Sequence, residues 1–205
     1  MVFDPEEYDS WYDRHHDLYL AELEAIKRFS SMYSSPKLEI GVGTGRFAGA
    51  LNIEYGIDPD VNMLEFAKKR GVKAIVGKGE KIPFPDGFFA MVLISTTLPF
   101  FDDPAMVIDE VYRVLRHDGG LILAFIPGGS PYGRKYESLA KNGDKRFEGA
   151  HFYRYNEVKA LIRGKFEIAG IVSTLIGDPP RTDIVEGYVE DASFVVLNCR
   201  KIQRD

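Results

Sequence analysis

A chain of 205 residues, 45% apolar and 28% charged, has the composition of one ordinary globular domain and enough length to bury a substantial core. Its formal net charge of −5 gives a nucleic-acid backbone no global attraction, and its longest apolar runs, near residues 90–94 and 121–126, are far too short to cross a bilayer. The acidic start MVFDPEEYDS lacks the layout of a secretory signal and the single cysteine, Cys199, has no intramolecular partner, so a reducing, cytoplasmic compartment is expected, with Cys199 a buried thiol in its apolar run.

From Pro5 to Tyr33, Leu18, Ala21, Leu23, Ala25, Ile26 and Phe29 recur at three- and four-residue spacings, which predicts a helical segment ended by Ser34-Ser35-Pro36. Strand and helix then alternate. Strands are predicted at Leu38 to Ile40, Ile53 to Ile57, Val72 to Val76, Phe88 to Ile94 and Leu121 to Ile126. Between them lie a glycine turn, a helix capped by Asp60 and stopped by Gly71, a proline-rich loop, and a helix over Pro104 to Leu115. Near-continuous apolar strands separated by helices predict a parallel sheet covered on both faces. Past a helix near Asn156 to Arg163, the runs Phe166 to Ile176 and Ser193 to Cys199 have no helix between them, which predicts an antiparallel pair at a sheet edge. Basic residues Arg134, Lys135, Lys141, Lys145 and Arg146 are interrupted by Glu137, Asp144 and Glu148, the pattern of a solvated face. A small-molecule substrate is therefore favoured over nucleic acid.

The segment LEIGVGTG sets Gly41, Gly43 and Gly45 between a strand and a helix. Glycines admit positive φ and let main chain approach a ligand, and amide groups at a helix start favour anionic or polar groups. Asp58, seventeen positions after Gly41, ends the second strand, where an acid can accept hydrogen bonds from both ribose hydroxyls of an adenosine; the plainer alternative is a turn cap before Pro59. The G-x-G-x-G spacing, and Glu39 inside the strand, argue against a nicotinamide pyrophosphate, which a carboxylate would repel, and for a ligand bearing an ammonium.

The ordered segments LEIGVGTGRF, GIDPD, GKGEKIPFPDGFFAMVLISTTL and EVYRVLRHDGGLILAF, over roughly Lys37 to Ile126, resemble the class I S-adenosylmethionine-dependent methyltransferases, in particular the type 11 (ubiquinone-biosynthesis-like) group. The resemblance implies a doubly wound, seven-stranded, mostly parallel Rossmann-like sheet. It implies one domain over residues 1–205, with a helical cap (1–35), a cofactor-binding core (36–127) and a substrate-side segment with the strand pair (128–205). It also implies S-adenosyl-L-methionine as cofactor, with S-adenosyl-L-homocysteine as product. Glu39 is expected at the methionyl amino group, Gly41, Gly43 and Gly45 along the cofactor, Asp58 at the ribose, and Pro59 and Met63 near the adenine. Gly79 is expected to offer its N–H to the ring, Glu80 to keep its place beside it, and Ser95 to meet the methionyl portion. Lys78 stands where the family commonly has an acid, and Pro99-Phe100 where it commonly has histidines.

Methyl transfer from a sulfonium needs alignment above all, with a proton acceptor for nitrogen or oxygen nucleophiles. His151, His16 and Tyr12 are the candidates, because the aromatic clusters around Tyr8 to Tyr19 and Phe147 to Tyr155 can fold over the pocket or simply pack a core. No metal-ligand spacing is visible. Protein methylation, a nicotinamide oxidoreductase and a non-catalytic binding domain are the competing readings.

Overall fold

The computed structural model describes residues 4–203; the outermost positions of the expected cap and tail, 1–3 and 204–205, lie outside the described residues. Asp4 accepts the Glu7 N–H and Pro5 occupies the first turn of α1 (Pro5–Arg14), a start that satisfies one of the free helix donors and asks none of proline. The single helical segment expected over 5–33 is two helices. His15 (φ −119°, ψ 46°) leaves the helical region before α2 (His16–Ser30), and its ring stacks on Trp11 at 4.4 Å. Apolar spacing is continuous across the bend, so periodicity alone does not reveal it.

Eight strands form one sheet: β1 (Lys37–Ile40), β2 (Tyr55–Asp58), β3 (Lys73–Val76), β4 (Phe89–Ser95), β5 (Leu115–Phe125), β6 (Phe166–Ile176), β7 (Val185–Glu186) and β8 (Ala192–Lys201). The order is β3-β2-β1-β4-β5-β8-β6-β7. β1 to β5 pair in parallel, while β8 runs antiparallel between β5 and β6. The sheet has one strand more than the seven expected. The addition is β7, two residues pairing with Val172 and Ser173, too short to leave a pattern. All seven residues of β4 are buried, as a central parallel strand with both faces covered requires.

Helices α3 (Arg46–Ala50), α4 (Val61–Lys69), α5 (Pro104–Val114), α6 (Pro131–Lys141) and α7 (Tyr155–Ile162) complete the fold. Asp60 caps α4 through the Asn62 N–H, and Asp103 caps α5 through the Met106 N–H. Phe29, Phe47, Leu64 and Phe194 pack one side of the sheet with α1 to α4; Val107, Val111, Val158 and Ile162 pack the other with α5 and α7. Cys199 is fully buried in the second layer, and burial pushes its thiol up to about 12. The chain runs outward from β1 to β3, then returns beside β1 as β4 and continues to β5. The loops leaving β1 and β4 therefore diverge, which opens a crevice at their carboxyl ends.

Candidate functional site

The glycine turn lies at that crevice. Gly41, Gly43 and Gly45 have φ of +69°, +50° and +78°, a region costly for residues with a Cβ. At Gly41 the neighbourhood is as strict as the torsion. A Cβ there would sit 2.3 Å from Thr97 Cγ2, because Thr97 leans back from the end of β4 and donates its hydroxyl toward the Gly41 and Ser95 carbonyls. Thr96, before it, holds φ at 56°, an uncommon torsion for a β-branched residue that turns the chain sharply over the strand end.

Two carboxylates flank the turn. Asp58 Oδ2 accepts the Gly43 N–H and Oδ1 the Asp60 N–H, both at 2.9 Å. The turn-cap reading of Asp58 is thus correct, yet each oxygen keeps a further lone pair. Burial raises its pKa, while the two N–H groups act in the opposite direction. Glu39 is 2% exposed, and its Oε2 has no hydrogen-bond partner. Burial holds its carboxyl well above the usual carboxylate range, and the charge of Asp58 adds to that shift. A buried acid left this way is costly unless a cation or donor completes it. Ser95 Oγ, at the end of β4, is buried and unpartnered too.

Other expected residues scatter more widely. Met63 is buried at 5% exposure and Pro59 is exposed. Gly79 is buried, and a Cβ on it would meet Ile40 and Val107 at 3.1 Å, so packing between β1 and α5 leaves little room there. Glu80 Oε1 accepts the N–H groups of Asp102 and Asp103, which fixes the loop ahead of α5. Lys78 pairs with Asp102 at 2.9 Å in solvent. His16 and His151 are exposed, and His151 lies 3.6 Å from Glu157. Tyr12 is buried with its hydroxyl 2.8 Å from that of Tyr8. The basic residues at 134, 135, 141, 145 and 146 are exposed, and Arg146 pairs with Asp144.

Several residues that sequence reasoning did not single out lie around the turn, beginning in the aromatic cluster of the cap. Tyr8 on α1 lies over the turn, its ring 3.6 Å from where a Gly43 Cβ would be. Its hydroxyl, raised to about 12 by burial, also feels the charges of Glu39, Glu22 and Asp58. α1 is fastened there by Asp9, which accepts Arg46 Nε at 2.9 Å, Arg46 Nη2 at 2.7 Å and Arg70 Nη2 at 2.9 Å. Arg46 also reaches Asp13, and Arg70 Nη1 donates to the Thr44 carbonyl. Glu22 had a readable signal. It sits on the apolar stripe of α2, three residues after Tyr19 and four before Ile26, all buried.

A family described as a methyltransferase domain matches residues 38–123. The chain is 36% identical to a crystal structure from Thermotoga maritima described as a SAM-dependent methyltransferase, possible histamine N-methyltransferase, with a TM-score of 0.86 and coverage of 95% of this chain and 94% of that one. This chain belongs to the S-adenosylmethionine-dependent methyltransferases. The methyltransferase is also 39% identical to an uncharacterized protein of Methanocaldococcus jannaschii, over 98% of this chain and 99% of the relative. A shorter match, 38% identical over 40% of this chain and 37% of the relative, reaches the ubiquinone/menaquinone biosynthesis C-methyltransferase of Desulfotalea psychrophila. The cofactor of the methyltransferase is S-adenosylmethionine, and its fold is the methyltransferase fold. The orphaned buried Glu39 oxygen and the positive-φ turn fit a ligand with an ammonium at one end and a nucleoside at the other. No described helix is long and apolar enough to cross a membrane.

Proposed function

We propose that the methyltransferase holds its cofactor across the carboxyl ends of β1 and β2 and directs methyl transfer to a small-molecule acceptor by in-line displacement. The observation that carries this reading is the buried, unpartnered oxygen of Glu39 beside a glycine turn whose far side is Asp58. Glu39 meets the methionyl ammonium, and Gly41, Gly43 and Gly45 let main chain lie against the ligand. Asp58 uses its remaining lone pairs on the ribose hydroxyls. Pro59 and Met63 border the adenine, Gly79 offers its N–H, Glu80 holds the loop in place, and Ser95 faces the methionyl portion. When bound, the cofactor supplies a methyl carbon that is already electrophilic. What remains for the protein is alignment and exclusion of water, and orientation alone can supply roughly 7–11 kcal/mol.

In this reading one catalytic unit is divided as the sequence suggests, into a cap (1–35), a cofactor core (36–127) and a substrate-side segment (128–205). The aromatic side chains of the cap and α6, among them Tyr8, Tyr12, Tyr132 and Tyr136, suit a compact acceptor. His16 and His151, both exposed, are assigned no proton here, and Tyr12 is a wall.

Calorimetry tests the cofactor assignment. S-adenosylhomocysteine should bind and NADH should not, and Asp58→Ala should weaken the former at least tenfold while the fold persists by circular dichroism. Undiminished affinity in that variant would remove Asp58 from the site.

A further inference from the structure

The glycine turn has α1 above it. The Tyr8 ring comes within 3.6 Å, and its hydroxyl within 3.9 Å, of where a Gly43 Cβ would stand, and the Gly43 N–H is the one that Asp58 Oδ2 accepts. Tyr8 therefore covers the turn where it meets the acid at the end of β2. Its hydroxyl lies 2.8 Å from that of Tyr12, whose ring meets Tyr19 and Phe47 edge-on at 5.3 and 6.0 Å. Among the described residues of α1 only Tyr12 is buried, so this helix has little apolar surface with which to seal itself down.

Its fastening is largely ionic. Arg46 Nη2 donates to the Asp9 carboxylate and carbonyl at 2.7 and 2.9 Å, Arg46 Nη1 reaches Asp13 at 2.8 Å, and Arg70 Nη2 reaches Asp9 at 2.9 Å. The receiving side of this latch is the turn itself. Arg46 follows Gly45 directly, and Arg70 also holds the Thr44 carbonyl at 2.9 Å. The side chains of Asp9, Arg46 and Arg70 are 15%, 16% and 29% exposed, so lifting α1 returns charges to water and bares little hydrocarbon. At the far end of α1, His15 leaves the helical region (φ −119°, ψ 46°) and parts it from α2.

We propose that α1 is a gate over the cofactor. Tyr8 is its contact with the bound ligand, the Asp9–Arg46–Arg70 cluster is its latch and His15 its pivot, and the cofactor enters and leaves only when the latch is broken. This rests on the placement of the cofactor between Glu39 and Asp58. Lids are drawn from weakly held elements, and their opening often limits exchange at a site. A helix that only supported the site would, once loosened, release ligand faster without admitting it faster. A gate governs both directions, so loosening its latch raises both rate constants and changes their ratio, the affinity, far less.

Surface plasmon resonance of S-adenosylhomocysteine over the immobilised full chain reads both constants. Asp9→Asn should raise association and dissociation alike, each by about fivefold or more, while the dissociation constant moves by less than about threefold. In the parent, both constants should also rise between about 50 and 500 mM sodium chloride, because the zwitterionic ligand has no net charge and screening then acts on the latch. Tyr8→Ala should weaken binding by about tenfold or more, chiefly through dissociation, and Tyr8→Phe, which keeps the ring, should recover most of that loss. Hydrogen exchange in α1 should slow when the parent is saturated with S-adenosylhomocysteine, and far less in Tyr8→Ala. Dissociation that quickens alone in Asp9→Asn makes Asp9 a support and overturns the gate, as do two constants that stay at the parent's values. Should that variant not fold, the salt series decides by the same two outcomes. Tyr8→Ala binding as tightly as the parent overturns it as well. In each of these cases a weakened Asp58→Ala leaves the cofactor placement standing. Failure of the parent protein to bind S-adenosylhomocysteine overturns that placement, and this inference with it.

Discussion

Glu22 is an expensive residue for the fold that carries it. Its usual pKa of 4.5 rises to about 8 through burial, so the folded state favours the protonated form. The stability linked to that proton is complete below pH 4.5 and is lost as pH rises to about 8, with roughly 3 kcal/mol forfeited at pH 7. Glu22→Gln keeps the shape and cannot ionise. Its melting temperature should therefore gain on the parent's between pH 5 and pH 8, and a gap that stays constant with pH would refute the burial argument. Gly41 shows the opposite kind of constraint. Gly41→Ala meets both a positive φ, worth about 1–2 kcal/mol, and the Thr97 side chain at 2.3 Å. Added Thr97→Gly should recover the steric part and not the torsional part, a coupling that a double-mutant cycle by denaturant unfolding would measure. The motif residues at this scale were plain in the sequence because glycine and acid at fixed spacing are local signals. Thr97 was not, because its contact with Gly41 spans 56 positions.

The amino-terminal helix pair shows what happens one level up. α1 holds its place over the turn chiefly through Asp9, whose carboxylate gathers Arg46 and Arg70. Burial is the largest single influence on Asp9 and raises its pKa, yet its hydrogen bonds with Arg46, Thr44 and Arg70 and the Arg70 charge together outweigh it and hold the group at about 2. The resulting stability is present above pH 3.8 and is lost as pH falls through about 2, on the order of 2 kcal/mol. Asp9→Asn should cost about 1–3 kcal/mol, and hydrogen exchange in residues 5–14 should quicken more than in the sheet. Uniform acceleration would mean that α1 is not separately latched. The sequence showed a helical segment and an aromatic cluster here. It did not show the bend at His15, because both helices share one apolar spacing. The latch was hidden as well, since Asp9, Arg46 and Arg70 belong to three different elements.

For the whole molecule, the decisive feature is the reversal of strand order between β1 and β4, which puts the glycine turn, Ser95 and Thr96-Thr97 at one crevice. A ligand filling it joins the two chain halves, so S-adenosylhomocysteine at a hundred times its dissociation constant should add about 2.7 kcal/mol to unfolding. Thermal denaturation should show that increment in the parent and about half of it or less in Asp58→Ala at the same ligand concentration.

The alternation of buried strands and amphipathic helices, the glycine spacing and the acids at strand ends are properties of short windows, with periods of two or three to four residues and caps within a turn. The sequence by itself therefore determined the α/β class, the parallel core and the antiparallel tail, and it marked the glycine turn and the acids beside it. The placement of α1 over the glycine turn and the burial of Glu22 were decided by tertiary structure alone. Both depend on segments far apart in the chain packing together to exclude water. An ionisable side chain takes its chemistry from its surroundings, and those surroundings are not written beside it in the chain.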